Sequence, residues 1–177
     1  MKTLYFIRHG QSQMNVEKRF AGKTDTPLTE EGRQQAKSAG KKAKGQNLRI
    51  DLIVSSPLSR AHETARIIAR EIGYPEGRIE LNPMLAERNF GSLEGQLWVG
   101  DLNMDGIADM ETIDELLARA AEVIAWLKQL EPDNILVVSH GSLGRALRHH
   151  LKGIQFEEFD KAPEHMLIPN AEIIKWI

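Results

Sequence analysis

Ile135-Leu136-Val137-Val138-Ser139-His140-Gly141 is the stretch that decides the fold. Four apolar residues in a row, three of them β-branched, suit a strand covered on both faces, and the pattern from about Leu143 to Leu151 then reads as a helix. The same order recurs elsewhere. Leu4 to Ile7 is a second apolar run, ended by Arg8, His9 and Gly10. Leu52 to Val54 is a third, broken by Ser55-Ser56-Pro57, after which Ala61, Ala65, Ile68 and Ile72 recur at helical spacing until Gly73. Thr29 suits an N-cap with Glu30 and Glu31 in the first turn, and that helix stops at Gly45. Thr112-Ile113-Asp114-Glu115 is a capping box, and Ile113, Leu116, Leu117, Ala120, Ile124 and Leu127 mark one face of a long helix ending near Pro132. Buried strands alternating with amphipathic helices predict an α/β domain, a three-layer α/β/α sandwich around a mainly parallel sheet.

The 177 residues amount to a single domain, taken as 1–177, and the 41% hydrophobic and 27% charged content excludes disorder. With 23 Lys plus Arg against 25 Asp plus Glu, the net charge is -2, so no global field draws the chain to nucleic acid or an anionic membrane. Any anion must be held by a local cluster. Cysteine is absent, which excludes disulfides, thiolate metal sites and thiol catalysis. Met1 to Ile7 is too short for a signal peptide and no run of 18 apolar residues occurs, so the expected location is cytoplasmic.

In parallel sheets, ligands occupy the crevice beyond the carboxyl ends of the strands. Arg8 and His9 follow the first strand, His140 follows the Ile135 to Val138 strand, and Arg60 opens the helix after a third. A cation in a helix's first turn opposes the macrodipole unless an anion lies between them. Two arginine forks and the N–H groups of a glycine loop suit a phosphoryl group, and a histidine kept neutral by those cations is a nucleophile for it.

These segments resemble the histidine phosphatase superfamily, which includes cofactor-dependent phosphoglycerate mutases and small phosphatases; the chain looks like the small phosphatase branch. Arg8-His9-Gly10-Gln11-Ser12 with Asn15 and Phe20-Ala21-Gly22 is similar to its signature loop, although Gln11 stands where many relatives have glutamate. Ser55-Ser56-Pro57-Leu58-Ser59-Arg60-Ala61 with Thr64-Ala65, Glu87-Arg88-Asn89-Phe90-Gly91 with Glu94-Gly95, Ser139-His140-Gly141, and Asn170-Ala171 match further motifs in family order. The resemblance implies that His9 is phosphorylated, that Arg8, Arg60 and His140 bind the phosphoryl oxygens, and that Glu87 is the proton donor and acceptor. Asn15, Gly22 and Gly141 are then expected to help hold the substrate. It implies a metal-independent phosphomonoester hydrolase with no cofactor, acting on a small phosphorylated substrate or a phosphoprotein.

Other readings are weaker. Asp101, Asn103, Asp105, Gly106 and Asp109 follow a calcium-loop pattern, but Thr112 stands where the final glutamate ligand belongs. A serine-hydrolase elbow at Ser139 lacks its first glycine, since Val137 is there. A metal hydrolase built on His9 and His140 is opposed by the arginines, which repel a dication. His149 and His150 suit a helix C-terminus, and His62 and His165 read as structural. A short lid insertion is expected at about 95–111; from Gly95 to Thr112 it has no Lys or Arg but has Asp101, Asp105, Asp109 and Glu111, so it should repel polyanions. Mutases of the family carry cations in a longer insertion and generally tyrosine at the position of Phe90, so the expected activity is phosphate release, with mutase action or noncatalytic phosphate binding as the alternatives.

Overall fold

The structure is a computed structural model that describes residues 2–98, 104, 106–157 and 167–177. Strand β1 (Thr3–Arg8) leads through a short helix α1 (Gln13–Val16) to α2 (Glu30–Gly45), β2 (Leu52–Ser55) and α3 (Ser59–Ile72). Then follow β3 (Glu80–Leu81), α4 (Ile113–Gln129), β4 (Asn134–Ser139), α5 (Gly141–Lys152) and β5 (Ile174–Lys175). These strands form one sheet in the order β3-β2-β4-β1-β5, parallel throughout except for β5, which runs antiparallel to β1 at the edge.

Alternate residues of each strand feed two cores, which is why the strands read as unbroken apolar runs. Leu4, Phe6, Leu52, Val54, Ile135 and Val137 pack with Leu116, Val123 and Leu127 of α4 and Leu143 and Leu147 of α5. On the opposite face Ile7, Ile53, Leu136 and Val138 meet Ala61, Ala65, Ile68 and Ala69 of α3 and Ala39 of α2. Each large buried side chain contributes about 1.5–3 kcal/mol. Small residues on α3 let that helix approach the sheet closely. The α4 capping box is present as the sequence predicts, with Thr112 accepting from the Glu115 N–H and Glu115 reaching back to the Thr112 N–H.

Four elements, α1, α5, β3 and β5, depart from the expectation. After β1 the sequence pattern shows no helix before Thr29, yet Ser12 and Asn15 form a reciprocal cap that starts α1. Helix α5 begins at Gly141 rather than near Leu143 because its exposed N–H groups have a partner from outside the helix, described below. The two-residue edge strands β3 and β5 leave too short a pattern to read.

Pairing of β1 with β4 places Arg8 opposite Ser139. The next residues, His9 and His140, therefore leave the sheet side by side.

Candidate active site

A cavity of about 590 Å³ opens beyond the carboxyl ends of β1 and β4, and Arg8, His9, Asn15, Gly22, Arg60, Glu87 and Gly141 all line it. His9, 3% exposed, holds a fixed tautomer. Its Nδ1 lies 2.7 Å from the Gly10 carbonyl, which can only accept, so the proton is on Nδ1 and Nε2 offers a lone pair. The Arg60 Nε–H donates to that lone pair at 3.3 Å. Burial first, then the charges of Arg60 and Arg8, hold His9 well below the ordinary imidazole value; the Gly10 contact opposes them. His9 is consequently neutral and nucleophilic at neutral pH.

Arg60 sits in the first turn of α3, 1% exposed, where the dipole disfavours it. Carbonyls compensate: its Nη1 and Nη2 donate to Thr24 at 3.0 Å and Gly22 at 2.7 Å. The Gly22 backbone thus steers Arg60, and its φ of +51° is a left-handed conformation that glycine adopts without strain. Glu94 fastens the same loop by accepting from the N–H groups of Lys23 and Thr24 while also holding the Phe90 N–H. Gly10 is required for space, since a Cβ there would collide with the Gly32 carbonyl; its N–H donates to Thr64, whose hydroxyl donates in turn to the Arg60 carbonyl. Asn170 donates to the His9 carbonyl at 2.8 Å, so the motif at the far end of the chain also pins this loop.

Arg8 donates through Nη1 to the Ile168 carbonyl at 3.0 Å, and its buried Nε has no partner among the described residues. His140 lies 5.1 Å from His9, ring centroid to ring centroid, with Nε2 at 2.8 Å from the Ser56 hydroxyl and a buried Nδ1 that has no hydrogen-bond partner among the described residues; it does not itself line the cavity. Glu87 is the external partner of α5: its carboxylate accepts from the Ser142 and Leu143 N–H groups at 3.1–3.2 Å and from its own neighbour Arg88 at 2.9 Å. Asn15 reaches the cavity wall while its side-chain oxygen holds the Ser12 N–H. A Cβ at Gly141 would stand 3.6 Å from Arg8 and 3.8 Å from Glu87, ordinary contacts, so Gly141 is not demanded by space.

The acidic segment does not behave as expected where it is described. Glu111 accepts from Arg119 at 2.7 and 2.8 Å and Asp109 contacts Ser92, and neither lines the cavity. Met104, Trp98 and Met110 instead pack around Phe20 and Phe90. Asp101, Asn103 and Asp105 of the calcium-loop pattern, with His165, lie outside the described residues, as does part of the expected lid insertion at about 95–111. Arg19, Trp98, Arg145 and Leu167 line the cavity and were not read from the sequence. Arg145 follows Gly141 by one helical turn, a spacing that could have pointed to it. His149 and His150 contact the Ile154 and Leu117 carbonyls, which accounts for them structurally.

Because burial and the neighbouring cations also hold His140 well below the ordinary value, neither buried ring takes up a proton until the pH is low, whereas both do so in the unfolded chain below about 6.5. Stability should therefore be highest above that pH and fall as the pH drops below it, the folding constant losing up to roughly tenfold per unit for each histidine. Urea melts at pH 7 and pH 5.5 check this; a His140→Asn variant should show a shallower slope.

A neutral, oriented imidazole beside buried arginines defines a phosphoryl-transfer centre with a histidine nucleophile. The profile of the histidine phosphatase superfamily (branch 1) matches residues 4–175, and the chain belongs to that family. It is 34% identical over 175 residues to the 2,3-bisphosphoglycerate-dependent phosphoglycerate mutase of Bartonella henselae, covering 89% of this chain and 84% of the relative. Among solved structures, a phosphoserine phosphatase from Entamoeba histolytica superposes with a TM-score of 0.80 at 28% identity, covering all of this chain and 91% of its own. A mycobacterial glucosyl-3-phosphoglycerate phosphatase gives 0.79 at 26%, covering 99% and 92%. The protein is a phosphatase-type enzyme of this superfamily, whose general mechanism passes through phosphohistidine. Among the described residues no helix is long and apolar enough to cross a membrane.

Proposed function

We propose that the protein is a metal-independent phosphomonoester hydrolase in which His9 Nε2 attacks phosphorus and releases an alcohol protonated by Glu87. A phosphoryl group arriving at Nε2 displaces the Arg60 Nε–H, which then donates to a phosphoryl oxygen; Arg8 Nε and His140 serve the other oxygens. Glu87 then removes a proton from the water that attacks the phosphohistidine. The observation that carries this reading is the His9 tautomer, with Nδ1 tied to Gly10 and Nε2 left as a lone pair beside Arg60. Metal independence is supported by charge: the guanidinium groups of Arg8 and Arg60 supply the positive field that a dication would otherwise provide. The substrate is a small phosphate monoester or a phosphorylated side chain.

Mutase action is the second reading, favoured by the curated mutase relatives and by Arg19 and Arg145 in the cavity wall. A mutase must retain a bisphosphorylated intermediate and keep water from the phosphohistidine. The Gly95 to Thr112 segment has no cation to grip such a polyanion, and solved phosphatases superpose closely on this chain. In the presence of chelator, inorganic phosphate should be released from a panel of monophosphates, with little interconversion of 2- and 3-phosphoglycerate even when 2,3-bisphosphoglycerate is supplied. Interconversion faster than phosphate release would assign the mutase, and activity restored only by added metal would overturn metal independence.

A further inference from the structure

His140 is a useful phosphoryl ligand only if the proton of its neutral ring is on the nitrogen that meets the phosphoryl group. The structure shows what decides this. Ser56, directly after β2, is fully buried, as is His140. The Ser56 hydroxyl oxygen accepts from the Leu58 N–H at 3.2 Å and lies 2.8 Å from His140 Nε2. A hydroxyl has one proton to donate, and among the described residues no other contact of this hydroxyl could receive it.

Two arrangements are open. If Nε2 carried the ring proton, it would donate to Ser56; the serine O–H would then be buried with no acceptor, and Nδ1 would be a buried lone pair with no donor. That leaves two polar groups unsatisfied away from solvent, each at a cost of desolvation. If Ser56 donates to Nε2 instead, the proton sits on Nδ1 and one group remains unsatisfied: an N–H on a ring whose centroid lies 5.1 Å from that of His9, which an oxygen of the transferring group would complete. Burial and the Arg60 charge keep the ring neutral, so a doubly protonated His140 does not enter the choice.

We infer that Ser56 is a positioning residue whose hydroxyl donates to His140 Nε2 and so fixes the Nδ1–H tautomer that binds the phosphoryl group. This rests on His9 as the phosphoryl acceptor for its catalytic meaning, but the tautomer itself does not. The same turn therefore serves two ligands. Ser56 sets His140, and four residues later Arg60 reaches His9.

The test begins with the wild-type protein carrying ¹⁵N-labelled histidine. A long-range ¹H–¹⁵N spectrum, with His140 assigned by its loss in His140→Asn, should show Nδ1 protonated and Nε2 bare; a protonated Nε2 would overturn the inference. Ser56→Ala should shift the ring toward Nε2–H and lower kcat/KM for nitrophenyl phosphate roughly 10- to 100-fold, with weaker inhibition by inorganic phosphate, while Ser56→Thr keeps the hydroxyl and the Nδ1–H signal. Unchanged tautomer and unchanged kinetics in a folded Ser56→Ala protein would also refute it. If His9→Ala retained turnover, the catalytic reading would fail while the tautomer result stood, so the two failures are distinguishable.

Discussion

His9→Ala is expected to lower turnover of any phosphate monoester roughly 10⁴-fold or more, because it removes the atom that forms the new bond to phosphorus. The protein should still fold. His9 is buried, but its ring is a boundary of the cavity rather than part of either apolar core, and the backbone around it is held independently by Ser139, Thr64 and Asn170. Loss of the ring leaves the Arg60 Nε–H without its acceptor, a cost of about 1–3 kcal/mol that a denaturation curve would register as a shift rather than a collapse. Wild-type protein mixed briefly with ³²P-labelled substrate and quenched in alkali should carry a label stable to alkali and labile to acid, the signature of a phosphoramidate on nitrogen. His9→Ala should carry none. Label on a serine or carboxylate would refute the mechanism.

The division between what the chain announces and what it conceals follows from contact range. Arg8, His9 and His140 were legible because each directly follows a strand whose apolar run can be read locally, and parallel pairing of Arg8 with Ser139 then brings the histidines together. Arg60 was legible because a cation in a first turn contradicts the dipole and asks for a reason. Glu87 was not: nothing in its neighbourhood shows that it will meet the N–H groups of Ser142 and Leu143, 55 and 56 residues away, and only the family resemblance singled it out. Ser12 and Asn15 were singled out by the resemblance, but the helix they start was not, because their reciprocal cap uses asparagine where the familiar pattern has glutamate or glutamine. Asp109 and Glu111, the described acidic residues after Gly95, show the opposite case. Read as a list of charges they suggest a repulsive lid, yet Glu111 is spent on Arg119, and among the described residues the charged groups that reach the cavity from outside the expected set are Arg19 and Arg145. Composition gives the charges of a segment but not their direction.

Glu87→Gln should separate the two chemical steps. The amide keeps an oxygen that can accept from the Ser142 and Leu143 N–H groups, so the start of α5 and the shape of the cavity are retained, and only the exchangeable proton is lost. An alkyl alkoxide is a poor leaving group and needs that proton; nitrophenolate leaves unaided. The ratio kcat/KM covers steps up to release of the alcohol, so for an alkyl phosphate it should fall roughly 10²- to 10⁴-fold, and for nitrophenyl phosphate it should change little. Hydrolysis of the phosphohistidine is common to both substrates and in the proposed mechanism also uses Glu87, now as a base, so kcat should fall for both. The variant should therefore accumulate phosphoenzyme on nitrophenyl phosphate and release a burst of nitrophenol equal to the enzyme present. Equal losses in kcat/KM on the two substrates, with no burst, would remove Glu87 from the proton-transfer role and leave it as the cap of α5 alone. The geometry argues for the double role: most of the carboxylate's hydrogen bonds fall on Oε1, while Oε2 takes a single shared contact at 3.2 Å and lies on the side of Gly141 and Arg8, where the leaving oxygen would depart.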